Sequence, residues 1–288
     1  MALFGRLRAA RLHDQAQALG PEDDDAALEL YRRALDLEPE RPNTLYNIGL
    51  IHKYRRDWPL SLAYNRRALD LRPDDEATRW NLAIAATALG DWSAAREMWG
   101  LCGYDVGEGE GPIDRDFGSA CVRLNPDDKP EVVWATRVDP VRARVRNVPF
   151  LESGVFYGDV MLHDGAPTGV KVSGEREYSI FNAFERTERS PYGTAVVALT
   201  GPSETDLDRL AAAGEAEQML VEDWTSVGFL CKACSEGVSE AHHEHDPVWN
   251  PEREVGVAIR DEATLQRILM DWSASGPERS AAITEVVW

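Results

Sequence analysis

Two cysteines and three histidines near the C-terminus are the residues of this sequence best suited to chemistry. Cys231 and Cys234 are spaced as CxxC, and His242, His243 and His245 follow within a short stretch. A CxxC turn can place two thiolates on one metal ion, and nearby imidazoles can complete a tetrahedral ligand set. Thiolate and imidazole ligands suit zinc better than calcium or magnesium. The sequence therefore predicts a structural zinc ion in the loop 231–246.

The same Cys/His loop allows other interpretations. The CxxC pair could be a redox pair, but that motif usually opens a helix after a strand, and the following Ser235-Glu236-Gly237 is poor helix sequence. The five residues could also lie by chance on a bare surface loop. Two thiolates, one histidine and a water would instead leave an open, catalytic zinc position. Spacing alone does not decide which histidines bind.

Catalytic motifs are absent from the rest of the sequence. It contains no G-x-S-x-G, no phosphate-binding G-x-x-x-x-G-K and no H-E-x-x-H. Glu152, Asp159, His163 and Asp164 could form an acid/base pair only if the fold brought them together. We therefore expect a non-enzymatic protein, with a zinc-dependent enzyme as an alternative.

The net charge of −19 is concentrated in the C-terminal two-thirds of the 288 residues. Residues 1–102 carry 14 basic and 16 acidic side chains, whereas residues 103–288 carry 17 and 34. This acidic part repels nucleic acid and anionic membranes and favours a basic partner. The sequence has no transmembrane stretch and no recognisable secretory signal, and its four cysteines are too few for a disulfide scaffold. A cytoplasmic protein is expected.

A repeat with a period of 34 residues fills the first third of the chain. Ala34-Leu35-Asp36-Leu37 returns as Ala68-Leu69-Asp70-Leu71, and Asp57-Trp58 returns as Asp91-Trp92. Each copy contains two amphipathic helical stretches, Thr44–Arg55 and Pro59–Leu71 in the second copy. One helical hairpin cannot bury its own apolar face, so neighbouring copies must stack.

With Ile48-Gly49, Ser61, Ala68 and Pro73 in the second copy, this segment resembles the tetratricopeptide repeat (TPR) family over about residues 8–102. The third copy departs from the pattern at Cys102-Gly103. The resemblance implies a concave groove, lined by the first helix of each repeat, that binds a peptide or a partner protein. The residues it places in the groove are Asn43, Tyr46, Asn47, Leu50, Lys53, Tyr54, Trp80, Asn81 and Ile84. The asparagines could instead be repeat-consensus surface residues, with the groove docking only within the chain.

The acidic part divides into three segments by pattern. Residues 103–130 are Gly-rich and acidic and predict a linker, and residues 131–190 show the alternation typical of strands. Residues 191–288 contain two strand–helix–strand units, which suggest a ferredoxin-like arrangement. Arg142, Arg144 and Arg146 alternate along one strand, either as a basic ligand-binding stripe or, in the preferred interpretation, as a solvated sheet face.

These patterns together predict a multidomain α+β chain: an all-α TPR array over 1–102, a linker over 103–130, a β-rich segment over 131–190, and a ferredoxin-like α+β segment over 191–288 with its zinc-binding loop. The expected function is protein–protein interaction through the TPR groove, with the zinc-stabilised acidic region as a second surface. An immunity or neutralising protein for a cationic toxin or other basic partner is the alternative without enzymatic activity.

Overall fold

The computed structural model describes residues 2–227, 249–276 and 278–288. The chain forms two compact units, Met1–Arg115 and Asp116–Trp288. The first is helical, and the second is built on two β-sheets. Within the described ranges, no helix has both the length and the apolar character needed to cross a membrane.

The helical unit consists of three consecutive helix pairs joined by short loops. The helices are α1 (Ala2–Gln17), α2 (Asp24–Leu37), α3 (Pro42–Tyr54), α4 (Trp58–Leu71), α5 (Glu76–Leu89) and α6 (Trp92–Leu101). Helices α2, α4 and α6 begin at residues 24, 58 and 92, and α3 and α5 begin at residues 42 and 76. The 34-residue period of the sequence is therefore also the period of the helices.

Local sequence signals explain where these helices begin and how closely they pack. Asp75 and Asp91 cap α5 and α6, since their carboxylates accept the backbone N–H of Thr78 at 2.9 Å and of Ala94 at 3.2 Å. Gly49 lets α3 approach α4, because a Cβ at this position would lie 2.6 Å from Nδ2 of Asn65. A glycine at this contact is therefore required by packing.

A closed barrel forms the first half of the second unit. Its strands are β1 (Ser119–Leu124), β2 (Glu131–Arg137), β3 (Arg142–Val145), β4 (Val160–His163) and β6 (Arg176–Glu188), with β5 (Gly169–Ser173) paired to β6 as a hairpin. The strands β1-β2-β3-β4-β6 pair antiparallel in that order. Strand β6 then pairs parallel with β1, with Cys121 opposite Ile180, and closes a ring of five strands.

The second unit also contains a four-stranded antiparallel sheet, in the order β10-β7-β9-β8. Its elements are β7 (Gly193–Thr200), α7 (Glu204–Ala216), β8 (Leu220–Asp223), α8 (Trp224–Val227), β9 (Glu252–Ile259), α9 (Glu262–Ala274) and β10 (Ser280–Val287). Helices α7 and α9 contribute Leu210, Leu265 and Trp272 to the main core of this sheet. A second cluster, with Val196, Ala258 and Trp224, packs against Val148 of the barrel.

The fold class predicted from the sequence is wrong. The prediction had a β-rich segment, ferredoxin-like units and a zinc-binding loop, whereas the C-terminal part contains a closed five-strand barrel. Strand β1, which closes the ring, comes from the segment predicted as a linker. In the part of the chain that the structure describes, no group of three or more His, Cys, Asp or Glu side chains is arranged to hold a metal ion. Barrel closure depends on a pairing between distant strands, which alternation within one strand does not report.

The interpretation of Arg142 as part of a solvated sheet face is also wrong. Its side chain is 1% exposed, and Nε donates to Oδ2 of Asp139, which is fully buried, at 2.6 Å. Its Nη1 donates to Oε1 of Glu188 at 2.6 Å. Arg144 is half-buried and Arg146 is exposed. Strand β3 ends at Val145, before Arg146, and places its first arginine in an ion-pair network.

Candidate functional site

A polar cleft of about 480 Å³ opens between α1, α3 and α5 of the helical unit. Three of the predicted groove residues, Asn43, Tyr46 and Asn47, line it from α3. The cleft also contains His13 and Gln17 of α1, Arg41, Arg72, and Thr78 of α5. Three helices that are distant in sequence thus present polar side chains to one space.

Hydrogen bonds hold most of these polar side chains in place. Nη1 of Arg72 donates to Oδ1 of Asn43 at 2.7 Å, and Nδ2 of Asn47 donates to the hydroxyl of Tyr31 at 3.0 Å. Nη1 of Arg41 donates to Oε2 of Glu38 at 2.7 Å, whereas its buried Nε has no hydrogen-bond partner among the described residues. An unpaired buried donor is costly.

His13 contributes an uncharged ring to the polar cleft. Its Nδ1 is 2.9 Å from Oγ1 of Thr44. Burial lowers the pKa of His13, and the nearby cation of Arg41 lowers it further. Near neutral pH the ring is therefore a neutral donor or acceptor.

An apolar cleft of about 540 Å³ lies beside the polar cleft, between α1, α2 and α3. Leu50 and Tyr54, both predicted groove residues, line it together with Leu19, Ile51 and Tyr31. Asn47 and Gln17 line both clefts. The two clefts therefore form one groove, with a polar part and an apolar part that meet at Asn47.

The remaining predicted groove residues line neither of these clefts. Lys53 is 3% exposed, with its Nζ 4.3 Å from the centre of the Tyr54 ring. Trp80 is half-buried, with its ring centre 4.8 Å from that of Trp99. Ile84 is fully buried, and Asn81 is 4% exposed with no hydrogen-bond partner for its Nδ2 among the described residues. The second repeat thus supplies the groove residues more than the third.

Sequence reasoning missed the charged and polar residues that the other helices bring to the polar cleft. His13, Arg41, Arg72 and Thr78 lie outside the helix faces that the repeat pattern singles out. One signal was present: Arg41 and Arg72 lie within two residues of Pro39 and Pro73, the prolines that close the first two repeats. Residues at such junctions lie at the helix ends that border the groove.

The predicted zinc ligands Cys231, Cys234, His242, His243 and His245 lie outside the described residues. The two cysteines inside them, Cys102 and Cys121, are free thiols. The zinc ion and the alternatives that depend on it, including a zinc-dependent enzyme, stay predictions.

Of the four residues considered for an acid/base pair, Asp159 and His163 have structural partners in the barrel, and Glu152 is exposed. Asp159 is fully buried and accepts hydrogen bonds from Nη1 of Arg186 at 2.9 Å and from the backbone N–H of Ser190 at 2.7 Å. Nδ1 of His163 lies 2.8 Å from the backbone carbonyl oxygen of Asp164. Burial lowers the pKa of His163 to about 4, so its ring is neutral. These contacts stabilise the barrel.

Comparison with known proteins identifies no family. No protein-family model matches the sequence, and no curated protein matches it. Among solved structures, a hypothetical protein from Neisseria gonorrhoeae is similar over 59% of this chain and 96% of its own, with 11% identity and a TM-score of 0.27. A likeness this weak supports no conclusion about fold or function. The resemblance to TPR proteins accordingly stays a prediction from the repeat.

Proposed function

We propose that the helical unit is a protein-interaction module that binds an extended peptide segment of a partner in the groove formed by the polar and apolar clefts. The observation that carries the proposal is that the two clefts meet at Asn47. A segment lying across this point would place polar groups on one side and an apolar side chain on the other. The proposal assigns no catalytic role to the unit.

The chemistry of the groove supports this kind of ligand. The amides of Asn43 and Asn47 suit the carbonyl groups of an extended backbone. Leu50, Ile51 and Tyr54 supply the apolar wall on which a leucine-sized or aromatic side chain would be buried. Fully burying such a side chain contributes about 1.5–3 kcal/mol, and the polar contacts then set direction and register.

Selection of random peptides displayed on phage against the full chain tests the proposal. Peptides enriched on the unmodified protein should bind at least about tenfold more weakly to Leu50→Arg, because a charge in the apolar cleft costs more than about 1.4 kcal/mol. Asn47→Ala should weaken the same peptides with little change in helix content.

Leu60→Arg is the matched control, because Leu60 is 40% exposed on α4 and lines neither cleft. Peptide affinity should be unchanged in this variant. Failure to enrich any peptide, or equal loss in Leu50→Arg and Leu60→Arg, would contradict binding in the groove.

A further inference from the structure

A cavity of about 160 Å³ lies within the second unit, where the barrel meets the four-stranded sheet. Strand β2 contributes Glu131 and Trp134 to its wall, and the segment after β3 contributes Phe150. Glu222 of β8 and Trp224 of α8 approach from the four-stranded sheet, and Lys171 comes from β5. We call this space the carboxylate cavity. It is separate from the groove of the helical unit and independent of its function.

Two carboxylates of this cavity are held by neutral donors only. The two carboxylate oxygens of Glu131 accept the backbone N–H of Phe150 at 3.2 and 3.3 Å. Glu222 accepts Nδ2 of Asn147 at 2.8 Å and the backbone N–H of Val148 at 3.0 Å. In the described part of the chain, neither carboxylate forms an ion pair. When ionised, these carboxylates therefore lack the direct ion pair that buried charges normally have.

The pKa values of Glu131 and Glu222 are both raised above the ordinary value for glutamate. Burial raises the pKa of Glu131 to about 8. The hydrogen bond from Phe150 lowers this pKa, and the negative charges of Glu222 and Glu152 raise it further. Burial also raises the pKa of Glu222. Lys171 also lines the cavity. At neutral pH the carboxyl group of Glu131 is therefore mostly protonated and uncharged.

Aromatic rings form the other walls of the cavity. The ring centres of Phe150 and Trp224 are 5.0 Å apart, and Nε1 of Trp224 donates to the carbonyl oxygen of Val148 at 3.0 Å, which orients the indole. Nζ of Lys171 lies 4.8 Å from the centre of the Trp134 ring, so one of these rings already contacts a cation. Aromatic faces attract organic cations through the ring quadrupole.

We propose that the carboxylate cavity binds a monovalent organic cation, specifically a guanidinium group, between Glu131, Glu222 and the aromatic rings. A planar guanidinium matches carboxylate geometry and stacks on aromatic faces. The cavity is as large as one that holds benzene, about 150 Å³. The guanidinium could belong to a small molecule or to an arginine side chain of a partner.

A metal ion fits the carboxylate cavity less well. Calcium takes six to eight oxygen ligands, and magnesium demands near-ideal octahedral coordination. The cavity offers two carboxylates, and the Asn147 amide is occupied at both ends, since Oδ1 accepts the backbone N–H of Trp134 at 2.5 Å. No group of three or more potential metal ligands exists among the described residues. The aromatic side chains in the walls offer no ligand atoms to a metal ion.

Binding of the cation should depend on pH in a defined direction. The charged and titratable groups around Glu131 are Glu222, Glu152 and Lys171. A guanidinium stays protonated throughout the accessible range, and it binds the ionised form of Glu131. Its apparent affinity is reduced by the fraction of protein in which Glu131 is protonated, so affinity should rise up to about pH 8 and then level off.

Titration of the full chain with methylguanidinium, followed by tryptophan fluorescence and calorimetry, tests the proposal, with uncharged N-methylurea as the ligand of equal shape. Methylguanidinium should bind about tenfold or more tightly at pH 8.5 than at pH 6, and N-methylurea should not bind. Equal binding of the two, no binding of methylguanidinium, or binding of Ca²⁺ in its place would overturn the proposal.

Variants locate the binding in the cavity. Glu131→Gln and Glu222→Gln should each reduce the affinity for methylguanidinium about tenfold or more, and Glu131→Gln should also abolish the rise with pH. Glu285→Gln, on exposed β10, is the matched control and should bind normally. Unchanged affinity in both cavity variants would contradict the site, and the pH profile of the unmodified chain tests it even if a variant fails to fold.

Two short peptides distinguish the sources of the guanidinium, acetyl-Gly-Arg-Gly-amide and its citrulline counterpart. Tighter binding of the arginine peptide than of methylguanidinium would assign the cavity to an arginine side chain of a partner. Weaker binding of that peptide, with methylguanidinium still bound, would assign the cavity to a small molecule. Binding of the citrulline peptide as tightly as the arginine peptide would argue against recognition of the charge.

Discussion

One ion pair in the helical unit and one in the second unit differ greatly in their exposure to solvent. In the helical unit, Arg55 pairs with Asp25 at 2.7 Å, and these side chains are 36% and 92% exposed. In the second unit, Arg142 and Asp139 pair at 2.6 Å, and their side chains are 1% and 0% exposed. A surface pair in water contributes little, whereas a buried pair cannot lose one partner without leaving an uncompensated charge. At Arg55 the helical unit can therefore lose a charge at little cost, whereas at Arg142 the second unit cannot.

Removal of the buried cation should give the largest difference between the two units. Arg142→Met leaves the carboxylate of Asp139 buried without its guanidinium, so the free energy of unfolding of the second unit should fall by about 3–5 kcal/mol. Urea unfolding measured by tryptophan fluorescence and far-UV circular dichroism would report it, with the helical transition unchanged.

Arg267→Met provides the control within the same unit. Its ion pair with Glu217, at 2.8 Å, joins side chains that are 57% and 43% exposed. The change should be within about 0.5 kcal/mol. Equal losses in Arg142→Met and Arg267→Met would show that burial does not separate the two kinds of ion pair.

The helical unit should instead be sensitive to the close approach of its helices. Gly49→Ala places a Cβ 2.6 Å from Nδ2 of Asn65, so α3 and α4 must separate, at a cost of about 1–3 kcal/mol. Thermal unfolding followed at 222 nm measures this loss. Gly100→Ala in α6 is the counterpart, because no atom lies within 4 Å of its Cβ position, and it should gain up to about 1 kcal/mol from helix propensity. An equal loss in both variants would contradict the role of the close contact with Asn65.

The stability of the second unit should also depend on pH. The pKa of Glu131 is about 8 in the folded chain and about 4.5 when exposed, so the unfolded chain binds fewer protons between these values. The free energy of unfolding should therefore fall as pH rises from about 4.5 to about 8. In Glu131→Gln this part of the fall should disappear, as measured by urea midpoints at pH 5, 6.5 and 8. An identical dependence of the free energy of unfolding on pH in the two proteins would be evidence against a raised pKa for Glu131.

Local signals made the helices predictable, and distant pairings made the barrel unpredictable. Asp57-Trp58-Pro59 marks the start of α4 within the chain segment itself, and the helix begins at Trp58. The ring closes through Cys121 opposite Ile180, and no pattern near either residue specifies that pairing. The register of one strand tells which residues face inward, but it does not tell which strand lies beside it.

The candidate sites divide in the same way. The sequence predicted Asn43, Tyr46 and Asn47 in the groove, because one helix of the repeat carries all three. It gave no reason to single out Glu131 and Glu222, which come from different sheets and lie in a part of the chain full of solvated carboxylates. Only folding distinguishes a buried acid from its exposed neighbours.

The reactivity of the free thiol of Cys121 can be used to detect opening of the barrel. The residue is fully buried on β1, and burial raises its pKa to about 11, so in the closed barrel it presents almost no thiolate to a reagent at neutral pH. Alkylation of this sulfur can proceed only through molecules in which β1 has separated from its neighbours. Peptide-resolved measurement of the alkylation of Cys121 would thus report the rate at which the barrel opens.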